Sequence, residues 1–578
     1  MQRIDVSAFK GMAPRQSPAL LENEQGTYVV GQMTSGELRP WNVPSYIQPC
    51  PADTESIYLT QGGDWLTWDE VVNVYPSIQA NDAFGRIYYT RESGGLFVIS
   101  PLDDYTEFRA GVPQPPAPPV VTITGSGSGT IEDRVYAYSY VNGWGEEGAL
   151  SDPTEFQDWQ SGQTVTLSEF SPPPLGFKGI VYLRIYRLAV GDTGADWFLV
   201  AEIDAEDETY VDAVSDELLG EAASTATYDL PQTDARGLVP VGGGIFATFS
   251  GNELAFSEPY LPYAWPDGYR LTVAGSVVAL GVVGNAIVVL TNQRPTYIYT
   301  AHASASRLPP EDFWQTPLAE VSPCVSPRGV VSTEYGVIFP APDGLRILQG
   351  EGSSRLVTEK LVTEKEWTSV FDPLNIRAGY FDSYYFGWSG GNGFAYHLRT
   401  DVLTWTGLPA GAVFSDGLGL YIVNDGGIWG WNADVGLLRG EFRSKIYRFP
   451  KPVNFSAARV DSSIDPVRDT LRDYRAALAG ANTEIVRDPL DLAGEELLGQ
   501  SVAGDNLSDL PYYDEVSWQH VFRVWADGIL RFDGQVPSLG YVRLPSGFLA
   551  REWQFEIRSY SHVKQISLGT STRAITGG

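Results

Sequence analysis

The chain runs to 578 residues, more than a single hydrophobic core supports, and three or four folding units are expected. With 43% hydrophobic and 19% charged residues, it is neither a disordered tail nor a coiled coil. Acidic residues outnumber basic ones 71 to 39, a net charge of -32, which argues against tight nucleic-acid binding through a basic patch.

Aromatic residues make up 12% of the chain, with 16 Trp and 31 Tyr beside 61 Gly and 39 Pro. Aromatics suit half-buried pleated surfaces, and Gly and Pro punctuate turns, so an all-β chain of many short strands is predicted. Cys50 and Cys324 are too few for a disulfide framework and read as buried thiols of a reducing compartment. The opening Met1-Gln2-Arg3-Ile4-Asp5 lacks an apolar signal core. The longest apolar run, Val277 to Leu290, is broken at Gly281 and Gly284-Asn285 and reads as a hairpin. A soluble protein folding in a cytoplasm, without membrane insertion, is therefore expected.

Residues 1–49 read as an extended, irregular N-terminal segment. In residues 50–112, Ile57 to Thr60 pairs with Trp65 to Trp68, and Arg86 to Thr90 with Leu96 to Ser100. Pro113, Pro115, Pro116, Pro118 and Pro119 form a stiff linker into a second unit. There Tyr136, Tyr138 and Tyr140 alternate up to a turn at Asn142-Gly143, and Val181, Leu183 and Ile185 alternate in the same way. Residues 113–232 are thus predicted to be an inserted β-sandwich of fibronectin or immunoglobulin type.

Hairpins resume in residues 233–460. Ile245 to Phe249 pairs with Glu253 to Ser257, and further turns lie at Gly284-Asn285, Tyr335-Gly336, Asp382-Ser383 and Asp425-Gly426-Gly427. The last four are spaced 52, 47 and 42 residues apart, the size of a propeller blade. Counting the two hairpins of residues 50–112 as one blade gives a β-propeller of about six. Residues 461–578 are predicted to form a C-terminal β-rich region carrying one helix, Pro466 to Leu478, with Gly480 as its stop. Strands at His520 to Ala526, Ile529 to Phe532, Trp553 to Ile557 and Val563 to Leu568 complete it.

No pattern of chemistry-bearing residues is found. Metal-ligand spacings, a nucleophile elbow and a phosphate loop are all missing, and His302, His397, His520 and His562 are scattered. Gly242, Gly244 and Ala247 imitate a dinucleotide fingerprint but lead into a strand. The carboxylate sets Glu146-Glu147, Glu206-Asp207-Glu208 and Glu364 with Glu366 sit beside turns, where solvated acids are ordinary. Catalytic, cofactor-binding and metal residues are therefore given as none, and a non-enzyme is expected. Trp65, Trp68, Trp429 and Trp431 could serve as sugar platforms, but blade core is the expected role.

Several segments, taken in order, resemble the nozzle, or tail tubular, proteins of short-tailed bacteriophages, which stabilise packaged DNA. Phe9-Lys10-Gly11-Met12-Ala13-Pro14-Arg15 with Leu20-Leu21, then Gly36-Glu37-Leu38-Arg39-Pro40-Trp41, look like that family's N-terminal segment. Tyr138 to Glu147 and Arg184-Ile185-Tyr186-Arg187 resemble its fibronectin-like insertion. Phe256-Ser257-Glu258-Pro259-Tyr260 and Pro342-Asp343-Gly344-Leu345 are similar to its propeller turns, and Ser444 to Tyr447 with Asn454 to Ala457 to its exit strands. The stretch from Ser462 to Pro511 departs most. The resemblance implies a structural virion protein, assembled in the host cytoplasm as a homohexamer. Its partners would be the head-to-tail adaptor and tail fibre or spike proteins. Genomic DNA would pass through its channel without tight binding, past a lumen expected to be acidic rather than ringed by arginines such as Arg346 or Arg543. A receptor- or glycan-binding tail protein is the alternative, and a propeller hydrolase a third reading.

Overall fold

The computed structural model of the protein describes residues 2–33, 35–191, 194–225, 227–301, 308–350, 352–434, 436–462 and 520–576. Almost all regular structure is β, arranged as small antiparallel sheets.

Five four-stranded sheets, and four strands at one end of an eleven-stranded sheet, are the six blades of a propeller. The first joins Val72–Pro76, Ile87–Arg91, Leu96–Ile99 and Phe108–Arg109. The second spans Arg236–Val241 to Arg270–Thr272, the third Val277–Val283 to Trp314–Pro317, and the fourth Val331–Thr333 to Ser354–Leu356. The fifth runs from Arg377–Phe381 to Val402–Trp405. The sixth takes Val413–Ser415, Leu420–Asn424 and Gly427–Gly430, and its outer strand is Ser45–Pro49 from the N-terminal segment. A two-stranded sheet, Ser56–Leu59 with Trp65–Trp68, fills the remaining gap between the sixth and first blades.

Each blade meets its neighbours through an apolar seam, and the seams explain the local sequence. In the third blade, Ile287 and Val289 pack on the second blade while Val288 and Leu290 pack on the fourth. Alternate residues of a strand point to opposite faces, so a strand sandwiched between blades must be apolar throughout. All six residues of Ala286–Thr291 are accordingly buried. The hairpin obeys the same rule, with Ile57 packing on Val423 and Ile428 of the sixth blade and Tyr58 on Ile87 and Tyr89 of the first. Inner strands crowd near the axis, and glycines permit it. A Cβ at Gly281 would collide with Val337, and one at Gly379 with Leu420.

This ring corrects three expectations. The two hairpins of residues 50–112 do not share a blade, because the first fills its own gap in the ring. The 42-residue spacing compared unlike turns. Gly284, Gly336 and Ser383 lie between first and second strands, whereas Asp425-Gly426 lies between second and third; the equivalent turn of the sixth blade is at 416–419. The propeller also ends near Gly430 rather than at residue 460.

Between the first and second blades the chain leaves to form a separate β-sandwich. One sheet pairs Val120–Thr124, Thr164–Ser168 and Thr209–Asp212, and the other Tyr136–Asn142, Ile180–Gly191 and Gly194–Asp204. Tyr136, Tyr138 and Tyr140 fill its core against Val165, Leu167, Leu183 and Ile185.

The chain ends build a third unit, a platform of two sheets. One orders Arg3–Val6, Val563–Gly569, Ala457–Ser462 and Tyr541–Arg543. The other joins Gln25–Val30, Gly440–Ser444, Ala550–Ser559, His520–Ala526 and Ile529–Val536, and touches the fifth blade where Val30 pairs with Trp405. The first forty residues are extended as expected but not irregular throughout: Arg3–Val6, Lys10–Met12 and Gln25–Val30 are strands, because extended backbone must pair once buried. The expected helix at Pro466 to Leu478 lies outside the described residues. A short helix at Thr572–Thr576, which the sequence reading did not foresee, follows the last strand. Among the described residues no helix is long and apolar enough to cross a membrane.

Trp41 joins platform and propeller. It is 2% exposed, packs edge-on against Tyr384 and Phe386, and donates its indole N–H to the Trp405 carbonyl at 3.2 Å. Trp41→Ala is expected to destabilise the fold by about 3–5 kcal/mol, since the cavity adds to the lost transfer energy. Denaturant unfolding followed by circular dichroism checks this, and an unchanged midpoint would contradict it.

Candidate functional site

The inner strands enclose a channel along the propeller axis, with a cavity of about 660 Å³ to which all six blades and the hairpin contribute. Its walls mix valines with polar and charged side chains, and charge gathers where the inner strands begin. Arg236 and Arg377 are the first residues of the second and fifth inner strands, Glu55 precedes the hairpin, and Arg328 precedes the fourth inner strand. Arg91, which ends the second strand of the first blade, pairs across to Val72 at the same end.

Within this mouth one Glu55 carboxylate oxygen accepts from two guanidinium groups. Arg377 Nη2 lies 2.7 Å away, and Arg328 Nη2 bonds the same Oε2. Arg377 also donates Nη1 to the Gly411 carbonyl at 2.6 Å. Burial alone would raise the Glu55 carboxyl, but the two arginines outweigh it and hold it below the ordinary carboxylate value. Burial, reinforced by the charge of Arg328, lowers Arg377 below the usual guanidinium value. Arg91 is engaged elsewhere, pairing with Glu70 at 3.3 Å and with Glu107 while lying over the Phe97 ring. Arg236 is exposed on the cavity and has no ion pair or side-chain hydrogen bond among the described residues.

The sequence reading singled out none of these residues. They are far apart in the chain, and only the ring arrangement gathers them. A signal did exist: Arg236-Gly237-Leu238-Val239 and Arg328-Gly329-Val330-Val331 repeat an Arg-Gly-apolar-Val pattern at the approach to an inner strand.

The carboxylates that the sequence did single out lie apart. Glu146 and Glu147 are buried, 4% and 6% exposed, not solvated beside a turn. Glu146 bonds Arg86 of the first blade, whose Nε donates to Asp82 at 2.9 Å, and accepts from Asn142 at 2.7 Å. Glu147 accepts from Ser139 at 2.5 Å, Arg184 at 2.6 Å and Tyr186 at 2.7 Å. These are ties within the sandwich and between it and the propeller. The pair is buried because the Asn142 turn folds back on the first blade, with Trp144 under Arg86. Glu206, Asp207 and Glu208 are exposed, and Glu366 closes a capping box with Thr363.

Trp431 is core. Trp65, Trp68 and Trp429 are half-buried and pack edge-on or tilted against Tyr421, Tyr89 and Tyr46 respectively. Gly243 and Gly244 form a turn into Ile245–Ser250. Arg346 is fixed by Asp343 and Glu320 in the fourth blade, and Arg543 lies on the platform. Cys324 is buried, whereas Cys50 is half-buried rather than enclosed. Among the described residues no group of three or more His, Cys, Asp or Glu is placed to hold a metal.

His302 lies outside the described residues. His397 bonds Thr400 at 2.8 Å, and His520 is 2% exposed, with Ser462 and Ser559 hydroxyls each 2.9 Å from a ring nitrogen. Burial pushes the His520 imidazole down to about 4. The unfolded chain then binds a proton that the folded chain refuses, so the stability contributed by neutral His520 is present above about pH 6.5 and lost as pH falls towards 4. The loss expected is about 3 kcal/mol, at about 1.4 kcal/mol per unit. Urea titrations at pH 7 and pH 4 check this: His520→Asn should remove that share of the acid sensitivity, and an unaltered pH dependence would contradict it.

No protein-family model matches the chain, and no curated protein matches it. Solved structures with some likeness include the extracellular domain of the putative hybrid two component system BT4673 from B. thetaiotaomicron, at 11% identity and a TM-score of 0.27. It covers 73% of this chain, and this chain spans only 43% of it. Citrobacter koseri AztD is 12% identical with a TM-score of 0.25, the match covering 67% of this chain and 97% of that one. The Neurospora crassa Pan2 WD40 domain is 8% identical with a TM-score of 0.26, covering 66% and 90%. Scores this low carry no weight for architecture or activity; the propeller rests on the strand pairing of the chain itself.

Proposed function

We propose that the chain is a structural, non-enzymatic nozzle subunit of a short-tailed bacteriophage tail. It assembles in the host cytoplasm as a homohexamer beneath the head-to-tail adaptor, contacts tail fibres or spikes, and forms the distal DNA conduit of the virion. The observation that carries this reading is the placement of charge. Residues 113–232 hold twenty Asp and Glu against four Lys and Arg, so half of the net charge of -32 lies in a fifth of the chain.

Every one of those four cations is engaged. Arg134 and Arg187 pair with Asp212, Arg184 with Glu147 and Glu202, and Lys178 with Asp103. The sandwich therefore offers solvent an acidic face without a free cation. Phosphates bind proteins non-specifically by releasing counterions at Lys and Arg, and such a face gives them no contact of that kind. Its repulsion is screened within about 8–10 Å at physiological ionic strength, so a polyanion could slide by without sticking.

The ordered resemblance to nozzle proteins supports the same reading, and its N-terminal residues carry structural weight here. Phe9, Met12 and Ala13 are buried in the platform core, and a Cβ at Gly11 would meet the backbone of Leu403 in the fifth blade. The tryptophans suggested as sugar platforms are instead occupied by aromatic neighbours, which weighs against a glycan-binding role.

Native mass measurement tests the proposal. A six-copy ring, alone or upon addition of the adaptor, is expected, together with no retention of duplex DNA on the purified protein at low salt. A stable trimer would favour a fibre or spike instead, a monomer that ignores the adaptor an enzyme or lectin, and tight DNA retention would overturn the conduit reading.

A further inference from the structure

The mouth of the propeller channel stands out against the acidity of the rest of the chain. Three arginines, Arg236, Arg328 and Arg377, face a cavity of about 660 Å³ whose facing carboxylates are Glu55 and Glu92, Arg91 being held by Glu70 and Glu107. Glu55 is shared by two guanidiniums through a single oxygen. Each guanidinium carries five N–H donors in a fixed fork. Beyond Glu55 and the Gly411 carbonyl, Arg328 and Arg377 have no further acceptor among the described residues, and Arg236 has none. Arg328 and Arg377 are held in place by Glu55, so little of their side-chain freedom would be lost on binding a ligand, whereas Arg236 is anchored only through its backbone at the start of a strand.

Two like charges beside one carboxylate, with unused donors facing a half-open cavity of ligand size, form an incomplete ion-pair network. A water-filled mouth satisfies the donors but not the charge. A tetrahedral oxyanion would satisfy both, accepting from two or three forks at once while Glu55 keeps Arg328 and Arg377 in register.

We propose that this mouth binds a phosphate group, with Arg236, Arg328 and Arg377 as its donors and Glu55 as the residue that positions the latter two. The phosphate could come from a free phosphate or pyrophosphate ion or from the backbone of a nucleic-acid end entering the channel mouth. The site lies in the propeller and stands whether or not the chain is a nozzle subunit.

Calorimetric titration of the full chain with inorganic pyrophosphate at low salt tests it, with a short single-stranded oligonucleotide in a parallel arm. Saturable one-to-one binding of pyrophosphate is expected. Arg377→Gln should weaken it about tenfold, the loss of one charge-assisted contact. Because Arg377 also bonds Glu55 and Gly411, Arg236→Gln is the companion variant: it breaks no protein contact and should weaken binding similarly while leaving the melting temperature unchanged. Arg355→Gln, outside the mouth, should bind as the parent does. Pyrophosphate binding alone identifies the free ion as the source; oligonucleotide binding that pyrophosphate displaces identifies the nucleic-acid backbone. Absence of saturable binding by either, or affinity untouched by Arg236→Gln and Arg377→Gln, would overturn the site.

Discussion

A propeller blade cannot stand alone, and the structure follows from that constraint. A four-stranded sheet apolar on both faces is stable only when both faces are covered, so the blades must close into a ring. Here closure needs seven apolar seams, and two of them depend on the hairpin Ser56–Leu59 and Trp65–Trp68. That hairpin is only two strands deep, yet Ile57 and Tyr58 seal the sixth and first blades from opposite sides. The sixth blade in turn borrows Ser45–Pro49 as its outer strand, pairing residues almost four hundred positions apart. The ring is thus locked by a segment made early in the chain that acquires its partner only when the last blade exists. Such long-range pairing is slow to form, because loop entropy is lost before contacts compensate for it.

The same segment ties the ring to the platform. Phe9 meets Phe442 edge-on at 4.9 Å, Trp41 is buried between the platform and the fifth and sixth blades, and Val30 bridges to Trp405. One continuous core consequently runs from Ile338, Leu345 and Tyr396 of the propeller to Phe555 and Val563 of the platform. The inserted sandwich is attached differently, through a buried cluster of Arg86, Asp82, Glu146 and Asn142. A buried ion pair stabilises little beyond an apolar contact of equal volume, but a misplaced partner leaves a buried charge alone. The platform is therefore attached by area, whereas the sandwich adds to the apolar contact of Trp144 with the first and second blades a charge cluster that fixes its orientation.

Charge in the sandwich and at the channel mouth contrasts. The four cations of the sandwich are all paired, whereas at the mouth of the axial channel the arginines exceed the carboxylates that face them. Since that excess arises from residues brought together by the ring, it is a property of the assembled propeller and not of any one blade.

Length, composition and turn residues determined the fold class. Strand alternation at Tyr136, Tyr138 and Tyr140, the proline run at Pro113, and hairpin turns at Gly284-Asn285 and Asp382-Ser383 are local signals of period two and left-handed backbone, and they were legible. Blade membership was less so. The hairpin at Ile57 and the outer strand Ser45–Pro49 look like any other strands, and only the partners available in three dimensions decide where they pair. Burial of Glu146 and Glu147 was illegible for the same reason: a carboxylate beside a turn is solvated unless another unit folds over the turn, and Arg86 lies sixty residues away. The arginine mouth was hidden most completely. Arg236, Arg328 and Arg377 each read as an ordinary charge at a strand's edge, and rotation of blades about one axis, a long-range consequence of sealing apolar faces, alone made them neighbours.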